Sequence, residues 1–273
     1  MREAYYCCTI SLHMERQYKI GFFDSGLGGL TILTAVRKYM PEYEYVYYGD
    51  TENIPYGDKS EEDIYRLTKC GVEELFQRGA VLVVVACNTA SVASVRKLQD
   101  EVIAHEYPDR RVLGVIIPTI ETLLSRNPHH ALLIGTTRTV ASSKFEVELK
   151  KQSNSHTLTA RATPTLVPLI EAGEYEKACE VARAVIDETN EPFDAVILGC
   201  THYTTLKECL RASHPHLAVI SQDEIIPTKL HDYLLRHPEI EGRLSKKGSV
   251  EIHLSKESPQ YEKIKKEILS HSD

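Results

Sequence analysis

Four stretches of the chain are essentially continuous apolar runs rich in branched side chains: 80–86 (AVLVVVA), 111–117 (RVLGVII), 131–135 (ALLIG) and 195–199 (AVILG). Runs of this length without polar alternation predict strands buried on both faces, as in a parallel sheet. The segments 18–23 (YKIGFF) and 43–49 (YEYVYYG) predict two more. Between them the period changes to that of a helix. Ser60 with Asp63 three positions on makes a capping signal, apolar residues recur at Ile64, Leu67, Val72, Leu75 and Phe76, and Gly79 closes the segment. Amphipathic stretches over 92–102, 174–188 and 205–212 predict further helices. Strands alternating with helices define a parallel α/β fold.

The pattern repeats. A shift of 113 residues carries Cys87 onto Cys200, each placed directly after an apolar run and followed by hydroxyl or amide side chains. The same shift carries Pro55 onto Pro168, Asp58 onto Glu171, and the loop holding Asp24 onto the loop holding Thr137. We therefore expect two similar parallel-sheet α/β domains related by pseudo-twofold symmetry, with an active site in the cleft between them. The first comprises 18–110 with a C-terminal return over 221–273, the second 111–220, and 1–17 form an extension. In parallel sheets ligands gather beyond the carboxyl ends of strands, where helix amides are free. Both cysteines fall at that edge.

Composition narrows the chemistry. The 273 residues carry 32 basic and 39 acidic side chains, a net charge of -7, well mixed along the chain. This argues against a nucleic-acid surface or a membrane anchor and favours a small-molecule partner. Seven cysteines without paired CxxC spacing read as reduced thiols of a cytoplasmic protein, with Cys70, Cys179 and Cys209 as small buried hydrophobes. No metal-ligand spacing is present, and the glycines of SGLGGL do not follow the dinucleotide-binding pattern.

Two thiols facing one cleft suit a specific task. Inverting a carbon centre by proton transfer needs a base on one face and an acid on the other, with the roles exchanged in reverse. A thiol has to be activated by amides or a hydrogen-bonding neighbour to serve at neutral pH. His202 is placed to assist Cys200, and Asp24 to do the corresponding job for Cys87. Asn88, Thr89 and Thr201 put amide and hydroxyl groups where a carboxylate would lie.

With DSGLGGL (24–30), GDTENIPYG (49–57), ACNTAS (86–91), GTTRT (135–139), LVPLIEAG (166–173) and GCTHY (199–203) in this order, the chain resembles the glutamate racemases of the aspartate/glutamate racemase family over roughly 19–225. The resemblance implies a cofactor-independent isomerase of the cytoplasm, supplying D-glutamate for peptidoglycan and so for cell-wall biogenesis and cell shape. It implies Cys87 and Cys200 as the proton-transfer groups and Asp24 and His202 as their assistants. Asp24, Ser25, Tyr56, Gly57, Asn88, Thr89, Thr201 and His202 would hold the amino acid, and Glu171 would be a further participant. No metal and no organic cofactor is implied, and the partners are the amino acid and, in a homodimer, a second copy of the chain. Thr204 stands where the family usually has proline, and Thr163 where a cysteine often precedes LVPLIE; neither is expected to touch the chemistry. Met14 sits where family members tend to begin, so it is the expected native start.

Three other readings remain open at this point: a racemase for aspartate or another amino acid, a decarboxylase using one thiol, and a two-lobed amino-acid-binding protein without chemistry. A pyridoxal enzyme would need a lysine at the cleft, and none of the loops named supplies one.

Overall fold

Every residue of Ala80–Val85 is buried, which explains why the run carries no polar period. Leu82 and Val84 face one apolar cluster while Val83 and Val85 face another, so the strand is covered on both sides. Each branched side chain so buried contributes about 1.5–3 kcal/mol relative to exposure. The computed structural model describes residues 18–270, so the expectations for the extension 1–17, including Met14, lie outside the described residues.

Among the described residues nine strands form two wholly parallel sheets. In chain order they are β1 (Lys19–Asp24), β2 (Tyr45–Gly49), β3 (Ala80–Val85), β4 (Arg111–Gly114), β5 (His130–Gly135), β6 (Thr157–Ala162), β7 (Ala195–Gly199), β8 (Ala218–Ile220) and β9 (Val250–Leu254). The first sheet runs β4-β3-β1-β2-β9 and the second β6-β5-β7-β8. The shift of 113 residues carries β1, β2 and β3 onto β5, β6 and β7, and β4 and β8 take matching places beside β3 and β7. The duplicated plan is therefore a property of the fold. Only β9, paired with β2, has no twin among the described strands.

One apolar cluster runs through both units, joining Ile20 and Phe22 of β1 to Ala131 and Leu133 of β5 and Ile197 of β7. Helix α1 (Gly29–Tyr39) contributes Leu30, Leu33 and Val36 to it, and the Gln222–Arg236 helix contributes Ile226, Leu230 and Leu234. Helix α2 (Glu61–Gln77) starts as its sequence indicates, with the Ser60 hydroxyl accepting from the Asp63 N–H, and Gly79 follows it at φ +94. A side chain at Gly71 would strike the Phe23 ring at 2.2 Å, so α2 lies against β1 only because that residue is glycine. Helix α3 (Asn88–Lys97) follows β3 directly, with Cys87 at its N-cap.

The structure corrects several expectations. The run 111–117 is strand only to Gly114; Ile116 opens the helix Ile116–Arg126, because an apolar run by itself does not distinguish strand from buried helix. Since β4 pairs with β3, residues 111–114 belong to the first sheet and not to the unit assigned to 111–220. Strands β6, β8 and β9 escape the pattern: β6 and β9 are half-exposed sheet edges and β8 has three residues. Cys179 and Cys209 are not free thiols; they form a disulfide between the Tyr175–Asp187 and Lys207–Ser213 helices, and Cys70 is exposed. Among the described residues no helix is long and apolar enough to cross a membrane.

Candidate active site

The polypeptide leaves β3 and β7 at the carboxyl ends of their respective sheets, and the residue after each exit is a cysteine or leads directly to one. Cys87 and Cys200 are both buried and both line one cavity of about 280 Å³ between the two units. The landmarks paired by the internal repeat meet there too, because Pro55, Asp58, Pro168 and Glu171 are part of the lining.

The two sulfurs are served by different groups. Cys87 Sγ accepts from the Ala90 N–H at 3.4 Å at the start of α3 and lies 3.3 Å from Ser25 Oγ. Burial pushes the Cys87 thiol up to about 12, and the nearby Asp24 charge adds to this, against the lowering effect of Ser25 and the Ala90 amide. Cys200 Sγ lies 3.8 Å from His202 Nδ1, and His202 Nε2 lies 3.1 Å from Glu171. Burial disfavours a charged imidazole, but Cys200 and Glu171 outweigh it and hold His202 well above its ordinary range.

Asp24, expected to assist Cys87, acts on it through its charge and makes its hydrogen bonds elsewhere. Its carboxylate accepts from the Gly26 N–H at 3.1 Å and from the Thr201 hydroxyl at 3.3 Å, while the group in hydrogen-bond contact with Cys87 is Ser25. Burial raises the Asp24 carboxyl, opposed by the charge of His202 and by hydrogen bonds from Gly29, Gly26 and Thr201. Asp24 at the end of β1 thus ties the first unit to the turn following Cys200. Gly28 allows that approach: a Cβ there would lie 2.5 Å from Thr201 Oγ1 and 2.9 Å from His202 Nδ1.

The remaining expected residues, unlike Asp24, line the cavity. Ser25, Tyr56, Gly57, Asn88, Thr89, Thr201 and His202 all line it. The Tyr56 ring, however, is buried and its hydroxyl donates to Asp50 Oδ2 at 2.7 Å, so the phenol serves the core. Thr89 shares its hydroxyl with Thr136 at 2.9 Å across the two units. Thr136, Thr137 and Thr163 line the cavity as well and were not singled out as site residues. Thr137 had a signal, being the repeat partner of Asp24. Thr163, which stands where relatives often carry a cysteine, has its hydroxyl 2.8 Å from Tyr203 OH. Thr204 meets Thr31 of α1 at 3.2 Å, a contact between the units.

Among the described residues no cluster of histidine, cysteine or carboxylate side chains is arranged to hold a metal ion, and the cavity lining includes no lysine. What the arrangement offers is two thiols on one small cavity, each with its own hydrogen-bonding partners, and helix-start amides and hydroxyls around them.

A fold of two like α/β units with paired cysteines at their junction defines a class, and the sequence agrees: the chain belongs to the Asp/Glu/Hydantoin racemase family, whose pattern matches residues 31–225. Relatives 37–39% identical to the chain carry the name glutamate racemase. The enzyme of that name from Ruegeria pomeroyi is 39% identical over 238 residues, covering 82% of this chain and 87% of its own. Among solved structures, a glutamate racemase isoform from Bacillus anthracis superposes with a TM-score of 0.83 at 27% identity, covering 93% of this chain and 95% of its own. The glutamate racemase of Thermus thermophilus, in complex with β-chloro-D-alanine, gives 0.78 at 31% identity over 92% and 93%.

Proposed function

We propose that this chain interconverts L- and D-glutamate without an organic cofactor by passing the α-proton between Cys87 and Cys200, and that it supplies D-glutamate for peptidoglycan. The observation carrying this reading is that the two thiols, at the ends of twin strands, line the same small cavity. One sulfur removes the proton from one face of the α-carbon, the other returns a proton to the opposite face, and the reverse reaction exchanges the roles. Cys87, held protonated by its surroundings, is the ready donor. His202, charged and bridged to Glu171, serves Cys200. Asn88, Thr89 and Thr201 offer donors to the α-carboxylate, and the turn at Tyr56 and Gly57 offers its main chain to the side-chain carboxylate. The glutamate racemase names of the relatives support the choice of substrate over aspartate, which differs by one methylene worth about 1–3 kcal/mol.

The decisive experiment incubates each enantiomer of glutamate, and of aspartate in parallel, in deuterated water and follows loss of the α-proton by NMR. Exchange with glutamate, abolished as net racemisation in both Cys87→Ser and Cys200→Ser, is the expected result. A well-folded protein that exchanges neither amino acid overturns the proposal. A homodimer in the cytoplasm belongs to the same reading and is read by sedimentation and cell fractionation.

A further inference from the structure

Asn88 lies directly beside Cys87 and lines the cavity, yet its amide is already engaged from behind. Its Nδ2 donates to Gln222 Oε1 at 2.9 Å, and Gln222 Nε2 donates back to Asn88 Oδ1 at 2.7 Å. Both side chains are almost completely buried, at 1% and 0% exposure. Gln222 Nε2 also faces Thr119 Oγ1 at a longer 3.4 Å, and the Thr119 hydroxyl spends its own proton on the Val115 carbonyl at 2.6 Å.

A reciprocal pair of amides is satisfied equally well if both are turned over together, because each still gives one hydrogen bond and takes one. Thr119 breaks that tie. With its hydrogen committed to Val115, its oxygen can only accept, so Gln222 has to present its amino edge to it. In such a pair the carbonyl edge of one amide lies beside the amino edge of the other. Asn88 therefore has its carbonyl edge on the Thr119 side and its amino edge on the far side. Neither Gln222 nor Thr119 lines the cavity, whereas Asn88 does.

We propose that Gln222 and Thr119 are positioning residues that fix the Asn88 amide with its N–H edge toward the cleft, so that Asn88 meets the substrate as a donor to an anionic oxygen. This rests on the reading of the cleft as an amino-acid site. The placement adds a second consequence. Thr119 stands on the helix Ile116–Arg126, which leads from the first sheet to the second, and Gln222 opens the helix Gln222–Arg236, which leads back. The two segments joining the units thus meet at the pair that orients Asn88, and any relative movement of the units is felt at the residue next to Cys87.

The test compares KM and kcat for both enantiomers of glutamate, and the Kd of D-glutamate by calorimetry, in Gln222→Leu and Thr119→Val, each made in the parent and in an Asn88→Ala background. Gln222→Leu in the parent is expected to raise KM and Kd by about tenfold and Thr119→Val by roughly threefold, the range for loss or weakening of one hydrogen bond to a charged group. Both effects are expected to vanish when Asn88 is alanine, since a residue acting through Asn88 has nothing left to position. A merely structural role would lower stability in both backgrounds and leave the same loss in each, and that result overturns the proposal. Should Gln222→Leu not fold, Thr119→Val, which leaves the amide pair in place, decides alone: parental KM and Kd overturn it. Deuterium exchange by the parent protein is the control that separates the two readings. A parent without exchange sinks the racemase reading, whereas a parent that exchanges beside indifferent variants sinks only the positioning role.

Discussion

His202 Nε2 stands 3.1 Å from the Glu171 carboxylate while Nδ1 faces the Cys200 sulfur at 3.8 Å, so one imidazole joins the Leu166–Glu171 helix to the turn after β7. The contact fixes a proton balance. Because the His202 pKa is raised in the folded protein, the stability gained from its charge is fully present below the unfolded value of about 6.5 and is lost as pH rises through the folded value.

Glu171→Gln removes one of the two groups that raise His202. The His202 pKa is expected to fall, moving the limb of the pH profile of kcat/KM that reports His202 to lower pH. Measuring kcat/KM from acid to alkaline pH with both enantiomers checks this, and a limb that stays in place would exclude Glu171 as the group holding the His202 charge.

Ser25→Ala deletes the hydroxyl that lies 3.3 Å from Cys87 and lowers its pKa. The thiol pKa then rises further. Loss of about 1 kcal/mol of hydrogen bonding gives a roughly fivefold slower alkylation of Cys87 by iodoacetamide at fixed pH. Mass spectrometry of the Cys87 peptide reads that rate separately from Cys70 and Cys200, and an unchanged rate would count against the Ser25 contact.

Gly28→Ala places a methyl group 2.5 Å from the Thr201 hydroxyl, where the two units touch. Overpacking of this kind costs about 1–3 kcal/mol. A lower melting temperature together with a lower kcat is expected, because Thr201 and His202 have to move. Parental values for both would mean that the approach of α1 to Thr201 is looser than the structure shows.

The Cys179–Cys209 disulfide closes a segment with a sequence separation of 30 residues. In the chain-entropy account a loop of that length stabilises by about 3–4 kcal/mol. Denaturant unfolding with and without reductant is expected to show that difference, and tryptic peptides holding Cys179 and Cys209 should migrate linked before reduction. Separate peptides from unreduced protein would contradict the bridge.

Much of this was legible from the chain. Continuous branched runs at β3, β5 and β7 announce strands buried on both faces, and the cysteine pair with its repeat locates the cleft. The edge strand β6, with the polar sequence TLTARA, gives no such signal because solvent covers part of it. The assistants of the thiols were harder for a different reason. The repeat that matches Cys87 to Cys200 matches His202 to Thr89 and Asp24 to Thr137, so the helpers are not duplicated. Pairing Asp24 with Cys87 followed the symmetry of the thiols, whereas the structure gives that contact to Ser25 and lends Asp24 to Thr201. Gln222 carries no sequence signal, being a lone amide brought to Asn88 by the return of the chain across the junction.

The unequal furnishing of the two sulfurs meets a limit set outside the protein. Mirror-image amino acids have the same free energy in water, so the equilibrium constant of the proposed reaction is one. The ratio of kcat to KM must then be identical in the two directions, whatever surrounds each thiol. Ser25 beside one sulfur and the His202–Glu171 pair beside the other can make the enzyme turn over one hand faster only by raising the KM for that hand in the same proportion.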